Sequence, residues 1–193
     1  MGRGKKIVDI ELVVQEAIAL IEEGGVEEFS TRRLASRLGI SAMTLYNYYE
    51  NRGAILKGAL RTGLVIMWKG LDEEVAAWRA AGGPPLGAYR VLADHLLAFA
   101  QARPSLCRFI LTESAGVDGS AIDARIEQIC ADGADWAGVR RADRLRLDIY
   151  IFELLAFALA LKVICGGESP ERFRELTAEG YELLLSRHEK VVA

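Results

Sequence analysis

The sequence predicts an all-α protein. Three observations predict it: apolar residues recur at spacings of 3, 4 and 7, no stretch alternates with period 2, and the glycine pairs fall where helical patterns stop. About nine helices are expected. They divide into an N-terminal three-helix helix-turn-helix head, a long connecting helix, and a helical-bundle body.

Each element has its own signal. Val8, Leu12, Ala17, Ile18 and Ile21 mark a first helix that stops at Gly24 and Gly25. Ser30 or Thr31 caps a short second helix with Leu34, Ala35 and Leu38 inward. Gly39, Ile40 and Ser41 break it, and Ser41 caps a third helix to about Tyr48. A fourth starts near Asn51 and meets no predicted breaker before Gly82-Gly83-Pro84-Pro85, which would make it roughly 40 Å long. Further helices are expected at 86–102, 104–113 (Pro104 in the first turn), 120–132, 140–165 and 170–190. The domain division follows: residues 1–52 as the head, residues 53–193 as the body.

Composition narrows the class. The chain has 193 residues, 51% of them hydrophobic, with 24 basic against 27 acidic side chains, which is too apolar and too weakly charged for a disordered chain. Cys107, Cys130 and Cys165 are an odd count and read as buried thiols in a reducing cytosol, not a disulfide framework. The basic start runs into Asp9 and Glu11 with no apolar secretory core, and Lys6 stands where N-myristoylation needs Ser or Thr. The longest apolar stretch, 149–165, contains Glu153 and Lys162 and is short for a bilayer span. A soluble cytoplasmic protein is the expectation.

Charge is unevenly distributed. Between Ser30 and Arg61 stand Arg32, Arg33, Arg37, Arg52, Lys57 and Arg61 against the single acid Glu50, a net +5 in a chain of net −3. A small basic head on an acidic body suits phosphate contact confined to one module. The order of residues in FSTRRLASRLGISAMTLYNYYENRGAIL (29–56) sharpens this. Two short helices around Gly39 form a helix-turn-helix, with Leu34, Leu38, Ile40 and Leu45 spaced to pack inward and Tyr49 one turn beyond Leu45. The opposite face of the third helix presents Ala42, Met43, Thr44, Tyr46, Asn47 and Tyr48. A buried helix would not show two tyrosines, an asparagine and a threonine outward, and a merely solvated one would show Lys and Glu. Such side chains suit a major groove, where Asn bonds adenine and methyl groups touch thymine.

Residues 29–56 resemble the DNA-binding head of the tetracycline-repressor (TetR) family of bacterial transcriptional regulators. The likeness rests on Thr-Arg-Arg-Leu-Ala-x-x-Leu-Gly-Ile-Ser, then Thr-Leu-Tyr-x-Tyr-Tyr, then Asn-Arg before a long helix. The resemblance implies that Thr31 and Arg32 touch phosphate, that Arg33 reaches backbone or a base edge, and that Ser41, Ala42, Met43 and Thr44 open the recognition helix. It implies a phosphate contact for the Tyr46 hydroxyl, variable recognition positions at Asn47 and Tyr48, and a phosphate-binding charge at Arg52, where the family usually has lysine. The tail residues Arg3, Lys5 and Lys6 would follow a minor groove or stay disordered.

In the body, helix 140–165 is apolar on nearly all sides, and Ala156, Ala158 and Ala160 would let another helix approach. With the last helix it reads as half of an intersubunit four-helix bundle, as in the family. The interface would use Ile151, Leu154, Leu155, Ala158, Leu159, Phe173, Leu176, Gly180, Leu183 and Leu184. A ligand cavity among the middle helices would draw on Trp68, Leu92, His95, Leu96, Phe99, Phe109, Ile126, Ile129 and Tyr150, with Trp78, Tyr89 and Trp136 nearby; ordinary core packing is the competing reading for each. With two histidines and no HxxxH or CxxC spacing, neither a metal nor a cofactor is expected. No GxGxxG, P-loop, GxSxG or HExxH is present, so an enzyme is not expected. The implied partners are double-stranded operator DNA, a small-molecule effector that releases it, and a second copy of the chain. The competing reading is an all-α interaction protein with a vestigial DNA-binding head.

Overall fold

The computed structural model describes residues 9–113 and 142–188, and every regular element among them is helical. These residues fall into two compact units, 9–66 with 103–113, and 67–102 with 142–188. The expected helix at 120–132, the basic tail, Cys130, Ile126, Ile129 and Trp136 lie outside the described residues.

In the first unit, α1 (Ile10–Gly24) begins where the Asp9 carboxylate accepts from the backbone N–H groups of Glu11 and Leu12. Its core face is Val13, Val14, Ala17, Ile18, Leu20 and Ile21; Leu12, expected inside, is 45% exposed near the open end of the helix. The Ser30 hydroxyl caps α2 (Thr31–Arg37) by accepting from Arg33 N–H, which settles the choice between Ser30 and Thr31. Gly39 turns the chain with φ +63°, a left-handed conformation that a side chain would strain. Ser41 then caps α3 (Ala42–Tyr46), which stops two residues short of the expected end. Leu34 and Leu45 are fully buried, each removal of such a side chain from water stabilising by about 1.5–3 kcal/mol, whereas Leu38 and Ile40 are half-buried. The Tyr49 hydroxyl donates to the Ile10 carbonyl and ties the end of the motif to α1.

Asn51 starts α4 (Arg52–Met67) by accepting from Ala54 N–H at 2.9 Å. Here the expected single helix from Asn51 to Gly82 is corrected. It is two helices, because Gly70 takes φ +91° and the chain restarts as α5 (Leu71–Ala80). The reading that no breaker intervened missed that one glycine at a left-handed angle suffices. At 1.5 Å per residue α4 is about 24 Å long, not 40 Å. Within the first unit α4 lies close on its neighbours: a Cβ on Gly58 would stand 3.2 Å from Val14, and one on Gly63 would stand 3.1 Å from Ile110. Ile110 belongs to α7 (Pro104–Glu113), which buries Leu106, Cys107, Phe109 and Ile110. Arg103 with Glu22, and Arg108 with Glu27, add ion pairs between this segment and the end of α1.

The second unit holds α5, a single 3-10 turn at Pro85–Gly87, α6 (Ala88–Ala102), α8 (Ala142–Ile164) and α9 (Pro170–His188). α6 packs on α5, α8 and α9, and buries Tyr89, Leu92, Ala93, Leu96, Leu97 and Ala100. α8 turns Ile149, Phe152, Ala156, Leu159 and Ala160 inward and leaves Leu147, Tyr150, Ile151 and Leu154 about half exposed. Between α8 and α9, Arg187 donates to the buried Asp148 carboxylate at 2.8 Å. Gly180 lets α9 close on α8, where an added Cβ would lie 2.9 Å from Leu155.

Candidate nucleic-acid interface

The capping of α3 fixes which side chains it can present. Ser41 accepts from Thr44 N–H at 3.1 Å, and its hydroxyl stands 2.9 Å from the Thr44 hydroxyl. Leu45, fully buried, pins the inner side. Everything on the outer side is therefore displayed by a short, rigid turn: Met43 is 76% exposed, Tyr46 44% and Tyr48 40%, with Asn47 exposed and Ala42 and Thr44 partly so. Met43 and Ala42 carry no hydrogen-bonding group. Their contacts with base edges would be apolar, and only Thr44 and Asn47 on this surface combine small size with polar atoms.

α2 contributes its first turn. The Thr31 hydroxyl lies 3.1 Å from the Tyr46 phenol, so the start of α2 and the end of α3 offer two hydroxyls side by side. Arg32 beside them is exposed and makes no ion pair among the described residues. Arg33 is drawn toward the Glu28 carbonyl and carboxylate, at 3.3 and 3.5 Å.

The basic character of this head is narrower than the count of cations suggested. Arg37 is held between Glu16 and Glu23 of α1, and its hydrogen bond to Glu23 leads the causes that raise its pKa. Arg52 donates to the Val26 carbonyl at 2.9 Å, and its guanidinium sits 5.4 Å from the centre of the Phe29 ring. Sequence reasoning gave Arg52 a phosphate and missed this second attachment; nothing in local spacing signals a bond across 26 residues. Arg32, Lys57 and Arg61 remain exposed and without ion pairs among the described residues.

The family model described as bacterial regulatory proteins, tetR family, matches residues 13–59, which run from α1 into α4 and contain this whole surface. The N-terminal segment of the chain is thus similar to the DNA-binding head of TetR-family regulators. Over 56 residues it is 38% identical to the tetracycline repressor protein class C of Escherichia coli, a match covering 29% of this chain and 26% of that one. Over 46 residues it is 41% identical to the class D protein of the same organism, covering 24% and 21%. The matches thus span about a quarter of the length of these curated relatives. Solved structures extend the likeness of fold to nearly the whole chain. A transcriptional regulator from Rhodococcus sp. Rha1 superposes with TM-score 0.66 at 18% identity, covering 93% of this chain and 97% of that one. A TetR-family regulator from Haemophilus influenzae gives 0.56 at 19%, covering 90% and 94%.

The remaining sequence-predicted residues separate between the two units. Phe109 packs in the first unit, and Trp68, Leu92, His95, Leu96, Phe99 and Tyr150 belong to the second. There Leu92 and Leu96 are fully buried, and Trp68 stacks on His95 with ring centres 6.1 Å apart and lies 6.4 Å from Phe157. Both ring nitrogens of His95 are engaged, Nε2 with the Met67 carbonyl at 2.8 Å and Nδ1 with Glu74 at 3.0 Å. Phe99 is half-buried, and Tyr150 faces outward, 57% exposed. Of the residues assigned to a dimer face, Ile151, Leu154, Ala158 and Leu183 are exposed, and Leu155, Leu176 and Gly180 are partly so. Leu159, Phe173 and Leu184 are buried in the unit's own core. Cys107 is buried as expected; Cys165, expected buried, is exposed just past the end of α8. No described helix is long and apolar enough to cross a membrane.

Proposed function

We infer that this protein is a homodimeric repressor of the TetR family, resident in the cytoplasm, that leaves a palindromic operator when a small, largely apolar molecule binds its body. The observation that carries the DNA-binding half is the outward face of α3, Met43, Thr44, Tyr46, Asn47 and Tyr48, rigidly capped and flanked by Thr31 and Arg32. Residues 1–52 act as the DNA-binding domain. Thr31, Arg32, Arg33, Tyr46 and Arg52 hold backbone phosphates, while Ala42, Met43, Thr44, Asn47 and Tyr48 meet the bases; Ser41 orders the helix that carries them. Repression is the sense that fits the curated relatives, which are tetracycline repressors.

Residues 53–193 bind the effector and form the dimer. The exposed apolar row Leu147, Tyr150, Ile151 and Leu154 on α8, with Leu183 on α9, supports the dimer. For the effector, the support is the Trp68–His95–Phe157 cluster, because His95 also holds the carbonyl of Met67, the last residue of α4. A ligand that displaced His95 would free that end of the helix leading to the head. Two heads one helical turn apart on DNA would then lose register.

An electrophoretic shift on fragments of the source genome tests this. A discrete retarded site whose affinity falls steeply with salt supports the regulator. Absence of any preferred fragment, with the dimer intact, supports an interaction protein with a vestigial head.

A further inference from the structure

A recess lies in the second unit, away from the aromatic cluster. It is a groove of about 360 Å³ between α6 and α9, lined by Arg90, Asp94, Leu97 and Gln101 on one side and Arg174 and Thr177 on the other. Its floor is closed by Leu97, 1% exposed, and by Thr177, 4% exposed. The Thr177 hydroxyl already donates to the Phe173 carbonyl at 2.8 Å. Its walls are charged and open. Neither guanidinium makes an ion pair among the described residues; Arg174 only lowers the pKa of Glu171 on its own helix, behind that residue's own backbone and Ser169 hydrogen bonds. The neighbouring Glu175 is taken by Arg172 at 2.9 Å.

Helical geometry separates this groove from both surfaces discussed so far. At about 100° per residue, Arg90, Asp94, Leu97 and Gln101 fall in one arc of α6, and Leu92, His95, Leu96 and Phe99 fall on the opposite side. On α9, Arg174 stands roughly opposite Leu183, the exposed residue of the dimer face. A dimer built on that face leaves the groove open, and an apolar effector beside His95 does not enter it.

Two unpaired guanidiniums on facing helices match a carboxylate, which arginine can grip through paired N–H donors. Asp94, one turn beyond Arg90, adds a site for a cation or a strong donor. The volume is at the small end of ligand clefts, which run from about 300 Å³ upward. We propose that the α6–α9 groove binds a free amino acid, its carboxylate between Arg90 and Arg174 and its ammonium on Asp94.

The test is a titration of the isotope-labelled full chain, followed by its amide resonances, with glycine, L-alanine and L-glutamate against acetate, propionate and glutarate, the same acids without the amine. Saturable shifts confined to residues 90–101 and 174–177 are expected at millimolar concentration, with the amine-free partners about tenfold weaker. Arg174→Gln should raise Kd about tenfold. Asp94→Asn should remove the preference for the amine and strengthen the plain acids. All three side chains are exposed, so the variants should keep the parent's melting temperature, which is measured alongside. No saturable shift in the groove with any of the three amino acids overturns the proposal. So does an unchanged response in the Arg90→Gln/Arg174→Gln double variant, or equal binding of acids with and without the amine.

Discussion

The Thr31 hydroxyl and the Tyr46 phenol lie 3.1 Å apart, joining the first residue of α2 to the last residue of α3. One hydroxyl spends its proton on this contact and the other keeps its O–H free, so in the proposed DNA complex the pair would donate to one phosphate oxygen. Thr31→Val and Tyr46→Phe should therefore weaken specific and non-specific DNA equally and leave the salt slope unchanged, since no charge is removed. Arg32→Ala should instead reduce that slope by about one unit. In a double-mutant cycle the two hydroxyls should couple by about 0.5 kcal/mol or more. Additive losses would mean that they hold separate phosphates.

Arg52 has a structural attachment and a proposed phosphate contact, which its substitutions can separate. Its bond to the Val26 carbonyl and its place over Phe29 contribute to the head's stability, about 1 kcal/mol for such a half-exposed arrangement. Arg52→Ala should lower both the urea midpoint and the salt slope of DNA binding. Arg52→Lys keeps the charge and should keep the slope while losing most of the stability. Asn47→Ala should do neither, weakening only the preferred site. Equal losses on specific and random DNA for Asn47→Ala would remove it from base recognition.

The head was legible because its signals are local. Ser30 and Ser41 each cap a helix through the N–H three residues on, Gly39 turns the chain in place, and Leu34 and Leu45 mark the buried side of α2 and of α3. What escaped was set by distant partners or by a single backbone angle. Gly70 looks like any helix-tolerated glycine until its φ is known, so α4 and α5 read as one. Arg37 looked like a DNA-facing cation until α1 brought Glu16 and Glu23 against it. Helix 140–165 read as apolar all round because both of its faces are apolar, one for its own core and one outward. Composition cannot say which of Leu154 and Leu159 is which. The packing of α6 decides it.

Burial alone pushes the Cys107 thiol up to about 12 from its ordinary 9.0. The folded thiol thus stays protonated where the unfolded one ionises, so protons bound to the folded state exceed those of the unfolded state between the two values. Stability from this group is intact below about pH 9 and declines as pH rises toward 12, at most about 1.4 kcal/mol per unit. Urea midpoints across that window should fall less steeply in Cys107→Ala, although that variant starts lower because of the cavity it leaves. At neutral pH iodoacetamide should modify Cys165 in the native protein and reach Cys107 only on unfolding. Rapid native labelling of Cys107 would contradict its burial.

Ala158 and Leu159 are neighbours on α8 with opposite surroundings, the first exposed and the second 5% exposed in the unit's own core. They therefore distinguish association from folding. If α8 and α9 form the dimer, Ala158→Arg buries an unpaired charge between two copies. That should cost several kcal/mol of association and yield a folded species sedimenting at 21.2 kDa. The melting temperature of its individual units should drop only as far as dimer stabilisation is lost by mass action. Leu159→Ala should behave differently, removing about 2–5 kcal/mol from the folded chain through its cavity while the sedimenting mass stays twice 21.2 kDa. A wild-type mass of 21.2 kDa at micromolar concentration would remove the dimer, and with it the two-fold operator.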